Sequence, residues 1–270
     1  MRLLSSLTPE VARSIQGVAF DLDDTFLSHG ALTKDAYDAL HDLQDAGLKL
    51  AVVTGRPAGW GEVIARQWPV DGVVVENGAL YLRREGRDVV THDPCSAKER
   101  QSRRIRLARL AADVRERVRE AKVTGDAGAR ISDVTWDIGE TQIVPEGQVR
   151  AMREMCLDAG ARVTTSSIHL HASFDGADKA SGLMRFAKEV FDHDETLARH
   201  VWAFLGDSPN DAPCFSGLET TFGVANVRKF VKLLSAPPRY VASEEMGLGF
   251  AEIVDALLRA RRKGLDFAAT

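Results

Sequence analysis

Three short apolar runs, VAF (18–20), LKLAVV (48–53) and GVVV (72–75), are separated by helical patterns, and they constrain this chain more than any other feature. Continuous apolar runs of that length suit strands covered on both faces, so they predict parallel strands packed between helices. The first intervening helix has its N-cap at Thr33, apolar contacts at Ala36, Leu40 and Leu43, and an end near Gly47. The second begins near Pro57 and carries Val63 and Ile64. After ENGA (76–79) the regime breaks. A hairpin, ALYLRREGRDVV, leads to a charged helix over 98–122 and two alternating stretches, 131–144 and 162–173, with a helix between them. Alternation predicts strands with one wet face, as in an open antiparallel sheet. From Lys179 the first regime returns, with a helix to about Phe191, a strand VWAFL (201–205) and a helix to about Gly217. A strand TFGVA (221–225), a helix near 227–234, a short strand RYVA and a terminal helix over 248–262 follow. The expected fold class is α/β, a Rossmann-like doubly wound parallel sheet made of residues 1–90 and 175–270, interrupted by an α+β insertion over 91–174.

Composition narrows the function classes without choosing one. The chain has 270 residues, 44% hydrophobic and 27% charged, as expected of a soluble globular protein of one or two domains. A net charge of −4 supplies no basic field for nucleic acid or an anionic membrane. No apolar stretch approaches the roughly 20 residues of a membrane span. The opening MRLLSSLTPE has no apolar core of a secretory signal. Cys95, Cys156 and Cys214 lie far apart with no C-x-x-C pair, which suits reduced thiols and a cytoplasmic location.

Ligands of open α/β sheets bind beyond the carboxyl ends of the strands. Those positions hold Asp21-Leu22-Asp23-Asp24-Thr25, Thr54-Gly55-Arg56 and Gly206-Asp207-Ser208-Pro209-Asn210-Asp211. Each pattern alone is cheap; their joint occurrence, in order, at strand ends is not. Asp21 and Asp23 are two apart in an extended segment and can address one site. Several carboxylates packed together repel unless a cation sits among them, and an oxygen-only set suits Mg2+. The competing reading is plainer: Asp24 or Asp211 as helix caps, Thr54 as an ordinary strand-end hydroxyl, Lys179 as a solvated lysine.

DLDDT, TGR, Lys179 and GDSPND resemble the four motifs of the haloacid dehalogenase-like superfamily. The insertion between the second and third motifs, preceded by VVENGA, is similar to its Cof-type branch (subfamily IIB), which carries an α+β cap and includes sucrose-phosphate and mannosyl-3-phosphoglycerate phosphatases. The resemblance spans nearly the whole chain, with one departure at Asp24, where many relatives carry Gly. It implies Asp21 as a nucleophile that becomes an aspartyl-phosphate, and Asp23 as the acid toward the leaving oxygen and then the base toward water. It implies Thr54, Lys179 and Asn210 as phosphate-binding residues. Mg2+ would be held by Asp21, Asp207 and the Asp23 backbone carbonyl, with Asp211 in support; Arg56 and Asn77 lie nearby without an assigned role.

The expected activity is hydrolysis of a small phosphorylated metabolite, a sugar phosphate foremost, with neither nucleic acid nor membrane as partner. A phosphomutase and a non-catalytic small-molecule-binding or regulatory protein are the alternatives. The helix over 98–122 has ten basic and four acidic residues, and its stripe of Leu107, Ala111, Val114, Val118 and Ala121 predicts an amphipathic helix with a solvated basic face. In the alternating stretches, Thr165, Ser167, His169, His171 and Ser173 share one face, and Asp133, Thr135 and Asp137 share another. That polar surface is expected to lie over the core and to help choose the leaving group through His169 and His171, with plain solvent exposure as the competing reading.

Overall fold

The computed structural model describes residues 1–166 and 168–263. Its strands are β1 (Arg2–Leu3), β2 (Gly17–Phe20), β3 (Lys49–Val53), β4 (Gly72–Val75), β5 (Leu80–Glu85), β6 (Asp88–His92), β7 (Lys122–Val123), β8 (Asp133–Asp137), β9 (Arg162–Thr165), β10 (His169–Ser173), β11 (Trp202–Gly206), β12 (Thr220–Gly223) and β13 (Tyr240–Val241). Its α-helices are α1 (Pro9–Ser14), α2 (Lys34–Asp45), α3 (Ala58–Gln67), α4 (Ala97–Arg117), α5 (Glu146–Asp158), α6 (Lys179–Phe191), α7 (Glu195–Val201), α8 (Ala212–Gly217) and α9 (Met246–Arg262).

The larger sheet runs β1-β13-β12-β11-β2-β3-β4-β5-β6, parallel as far as β4 and antiparallel through β5 and β6. Burial explains the apolar runs: β2, β4 and β11 are buried along their whole length. One apolar cluster joins Phe20, Phe26, Leu40, Leu43 and Phe250 on one face of this sheet, and a second joins Val53, Val74, Phe186 and Phe204 on the other. The α/β class is borne out. Because β11 and β3 flank β2, with Leu205 opposite Phe20 and Phe20 opposite Val52, the carboxyl ends of three adjacent strands open at one place. Such a switch in strand order leaves a crevice where loops diverge to either face.

The smaller sheet, β7-β8-β10-β9, is antiparallel throughout. Its apolar face, with Val134, Trp136, Leu170 and Ala172, packs on Leu107, Leu110 and Val114 of α4 and Met152 and Cys156 of α5. The alternation read from the sequence therefore gives the correct apolar face, except that it lapses between β9 and β10. Ile168 lies in that connection and lines the cavity below rather than the apolar cluster, while Ser167 lies outside the described residues.

Several expectations shift. The charged helix stops at Arg117 instead of near 122, since Val118 adopts extended dihedrals and Lys122–Val123 pair at the edge of β8. Val118 and Ala121 stay in the apolar cluster despite lying past the helix end. Its basic face is not simply solvated. Arg100 is buried, and the Arg106 guanidinium stacks 3.6 Å from the Phe174 ring. Val63 is exposed while Ile64 is buried. Residues 225–230 form a 3-10 turn, and α1, α7 and β1 were not anticipated.

Two chain crossings join the sheets, and Arg100 ties both. Its Nε donates to Asp93 at 2.7 Å in the outgoing crossing and its Nη1 to Asp175 at 2.6 Å in the returning one. The N-terminus of α6 is fixed differently, by close approach to the turn after β4. Gly78 there has φ +99°, and a Cβ added to Gly182 would lie 2.4 Å from the Gly78 Cα. Gly182→Ala is therefore expected to destabilise the fold by about 1–3 kcal/mol, as overpacking against backbone does. Urea unfolding of the variant beside the wild type measures this, and an unchanged midpoint would contradict it.

Candidate active site

Asp21 follows β2 directly, and its N–H donates to Leu205 O at 2.9 Å, so the first acid is anchored to β11 by backbone. The next turn winds tightly through Leu22–Phe26, with Asp24 at φ +56°, a left-handed conformation that glycine adopts more readily. Asp207 follows β11, and Asp211 closes the 3-10 turn Pro209–Asp211 behind it. Asp211 folds back so that its Oδ2 accepts from the Asp207 N–H at 2.9 Å and the Ser208 N–H at 3.2 Å. Glycine at 206 permits that approach, since a Cβ there would fall 2.5 Å from the same oxygen.

Asp21, Asp207 and Asp211 are all buried, and each offers an oxygen within 4.8 Å of the others. Lys179, at the start of α6, is 1% exposed and donates to Asp21 Oδ1 and to Asp211 Oδ1, both at 2.7 Å. Burial alone would lower the Lys179 ammonium, but Asp21 and Asp211 outweigh it and hold it above the ordinary lysine value. Burial pushes the Asp21 carboxyl up to about 7, with Lys179 opposing and Asp211 and Asp23 adding to the rise. Asp207 is likewise raised well above the usual carboxylate range by burial, then by Asp211 and Asp21. One ammonium among three dry carboxylates leaves a deficit of positive charge, and the oxygen-only donor set suits a hard divalent cation such as Mg2+. The residues present therefore fit a Mg2+ ion.

Of the other residues singled out from sequence, Asp23 and Asn210 line a cavity of about 400 Å3 in front of the acids, together with Arg56, His169 and His171. Thr54 is fully buried at the end of β3, and its hydroxyl accepts from the Arg56 N–H at 3.1 Å. Asn77 has φ +54° and a buried Oδ1 without a hydrogen-bond partner among the described residues. Arg56 grips the Asp23 carboxylate, Nε to both oxygens at 3.1 and 3.0 Å and Nη2 to Oδ1 at 2.6 Å, while stacking 4.2 Å from the Trp60 ring.

Four residues that hold the site together had no role assigned from sequence, among them Thr25, which ends the DLDDT motif. Asn226 Nδ2 donates to Asp207 Oδ2 at 2.8 Å and to Asp24 O at 2.9 Å, and the Thr25 hydroxyl donates to Asp207 Oδ1 at 3.3 Å. Glu76, buried at the end of β4, accepts from the N–H groups of Ala58, Ile131 and Ser132 at 3.1, 2.9 and 2.6 Å, and from the Ser132 hydroxyl. Arg130 donates to Gly55 O at 3.1 Å and to Asp133. Glu76 and Arg130 thus seat the smaller sheet on the larger. The run VVENGA was the available signal for Glu76; no pattern in the sequence pointed to Asn226 or Arg130.

The family model for haloacid dehalogenase-like hydrolases matches residues 18–105. The chain is similar to a phosphoglycolate phosphatase of Pyrobaculum neutrophilum, 26% identical over 243 residues that cover 88% of this chain and 93% of that protein. In fold it is similar to a Thermoplasma acidophilum protein, with a TM-score of 0.71, 18% identity, and coverage of 90% of this chain and 98% of that one. It is also similar to the sucrose-phosphatase of Synechocystis, solved with sucrose and phosphate, with a TM-score of 0.64, 15% identity, and coverage of 91% and 98%. No helix among the described residues is long and apolar enough to cross a membrane.

The charge deficit has a measurable consequence. A carboxyl raised in the folded state binds more protons there than in the unfolded chain, so stability falls as pH climbs from near the ordinary carboxylate value toward about 7. Without divalent ions the melting temperature should therefore drop across that window. Mg2+ at one hundred times its dissociation constant should restore about 2.7 kcal/mol. Calorimetry with EDTA and with Mg2+ checks both; a metal-independent melting temperature at pH 8 would contradict the cation reading.

Proposed function

We propose that this haloacid dehalogenase-like hydrolase is a Mg2+-dependent phosphatase acting on a small phosphate monoester whose leaving group is uncharged and rich in hydroxyls, such as a sugar. The observation that carries the reading is the convergence of Asp21, Asp207 and Asp211 at adjacent strand ends around the Lys179 ammonium, beside a cavity lined by residues of both sheets.

Asp21 is the nucleophile. Lys179 holds its Oδ1, and Oδ2 makes no hydrogen bond among the described residues, so that oxygen is free to attack phosphorus. Asp23, at the cavity wall, gives a proton to the departing oxygen, a step that requires its carboxyl to be protonated and released from Arg56. As a carboxylate steadied by Arg56 it then takes the proton of the water that cleaves the aspartyl-phosphate. Lys179 stabilises charge on the transferring group, and Asn210 lines the cavity in front of the acids. Asp21, Asp207 and the backbone carbonyl of Asp23 would hold Mg2+, with Asp211 in support. When bound, the ion neutralises the acids and the charge developing on phosphoryl oxygens.

The cavity's charge supports an uncharged leaving group. Among the described lining residues, both guanidinium groups have acidic partners, Arg56 in Asp23 and Arg130 in Asp126 and Asp133, and His169 Nε2 faces Glu140 at 2.9 Å. A substrate carboxylate would find no unpaired cation there, whereas hydroxyls would find acceptors in Asp126 and Glu140 and partners in Thr124, Thr141 and Ser166. Unpaired Cys95, Cys156 and Cys214 support a reducing compartment, the cytoplasm.

The test is release of phosphate from p-nitrophenyl phosphate and from a panel of esters. Release should require Mg2+ and fall by about 10^3-fold or more in Asp21→Asn. Sugar phosphates should rank above phosphoglycolate in kcat/KM. Release that survives Asp21→Asn would refute the nucleophile, and the opposite ranking would refute the leaving-group class.

A further inference from the structure

Above the cavity, one ring nitrogen of a buried histidine is committed and the other is not. His171 lies in β10, and its Nδ1 meets Thr135 Oγ1 at 2.9 Å and Asp133 Oδ2 at 3.2 Å, both from the neighbouring strand β8. Behind Asp133 stands Arg130, its side chain 3% exposed, with Nη1 donating to both Asp133 oxygens at 3.0 and 3.1 Å. Asp126 holds the rest of that guanidinium. The three groups form a chain of contacts, cation to carboxylate to imidazole, whose two ends, Arg130 and His171, both line the cavity.

This line assigns the imidazole proton. Burial of Asp133 would raise its carboxyl, but Arg130 and His171 outweigh that and hold it below the usual carboxylate range, so it is an acceptor only. Burial lowers His171, more than Asp133 can compensate, so the ring is neutral near pH 7. A neutral imidazole carries one N–H. A bare Nδ1 would press its lone pair on an ionised oxygen, so the proton sits on Nδ1 and is shared between Asp133 and Thr135. The opposite ring nitrogen, Nε2, is then an acceptor, and it has no hydrogen-bond partner among the described residues. His171 lines the cavity that Asp21 and Asp23 also line.

We propose that Arg130 and Asp133 lock His171 as a hydrogen-bond acceptor in the leaving-group subsite, making it a specificity residue that selects substrates presenting a hydroxyl there. This rests on the phosphatase reading and goes further by naming which atom does the selecting and what it demands. A hydroxyl satisfies Nε2, whereas a carboxylate or second phosphate can offer it only oxygen lone pairs. His169 is held by the other ring nitrogen: its Nε2 faces Glu140 at 2.9 Å and is not a free acceptor.

Two measurements on the full chain decide the matter. Long-range proton–nitrogen NMR of histidine-labelled protein, with the His171 signal assigned by its loss in His171→Phe, should show the proton on Nδ1 and a bare Nε2. A protonated Nε2 overturns the assignment. Kinetics then compare wild type, His171→Phe and His171→Gln on a hexose phosphate and on p-nitrophenyl phosphate, whose leaving group has no hydroxyl to donate. His171→Phe should cost about tenfold in kcat/KM on the hexose phosphate, chiefly through KM, and less than about twofold on p-nitrophenyl phosphate. His171→Gln, which restores an oxygen acceptor, should recover part of the loss. An equal fall on both substrates would mean that His171 only supports the sheet, and would overturn the proposal. Absence of Mg2+-dependent turnover by the wild type would refute the phosphatase reading instead, while the NMR result reports on the proton independently.

Discussion

A single ammonium between two buried carboxylates organises this molecule. Lys179 reaches Asp21 from the end of β2 and Asp211 from the turn after β11, so one side chain links three remote stretches of chain. In a dry setting an unpaired carboxylate is costly, and each acid is tolerable only because the others' partners are in place. The remaining supports follow the same logic. Asn226 and Thr25 donate to Asp207, and backbone N–H groups donate to Asp211. Even so, the donors do not balance the acids. The residual negative charge makes the cluster receptive to a cation and, once a cation is present, to a phosphoryl group.

That arrangement would be open to water without the second sheet, whose attachment is itself polar. Glu76 belongs to the larger sheet but receives two backbone N–H groups and a hydroxyl from Ile131 and Ser132. Arg130 returns the contact through Gly55 O, the residue after Thr54. Burial, with Asp133 nearby, raises the Glu76 carboxyl despite those hydrogen bonds. Polar seams of this kind can open at modest cost, because the freed groups regain water. At the crossings, by contrast, Arg100 joins Asp93 and Asp175 and keeps both connections together. The smaller sheet is thus held over the acids by a polar seam at Glu76 and by the paired crossings at Arg100.

The larger sheet was legible because its strands are buried on both faces, and burial writes itself as uninterrupted apolar runs such as 48–53 and 72–75. The acids were legible for a related reason. Strand ends are known once strands are, and polar residues clustered there stand out. Asn226 and Arg130 were not, since nothing in their local sequence separates a buried polar side chain with distant partners from an exposed one. The basic helix shows the same limit. Periodicity identified Leu107 and Val114 as buried, but Arg100 is buried through pairing with Asp93 and Asp175, which lie 7 and 75 residues away. Thr54 illustrates a milder case: its position at the end of β3 was clear, yet its hydroxyl is engaged by the Arg56 N–H.

The two halves of the cavity therefore follow different physics. The lower half is a charge problem, and its solution demands particular residue types at particular strand ends, so it leaves motifs. The upper half is a problem of hydrogen-bond direction, and many residue types can solve it. His171 shows how direction is set at a distance: Arg130 fixes the charge of Asp133, Asp133 fixes the proton on Nδ1, and only then does Nε2 acquire a definite role. A substitution at Asp133, which does not itself line the cavity, would alter what the cavity accepts without changing a residue that touches the leaving group. Selectivity in this fold is thus distributed behind the surface that exercises it, which is why residues lining the cavity, read one by one, say less about the substrate than the chain of partners that orients them.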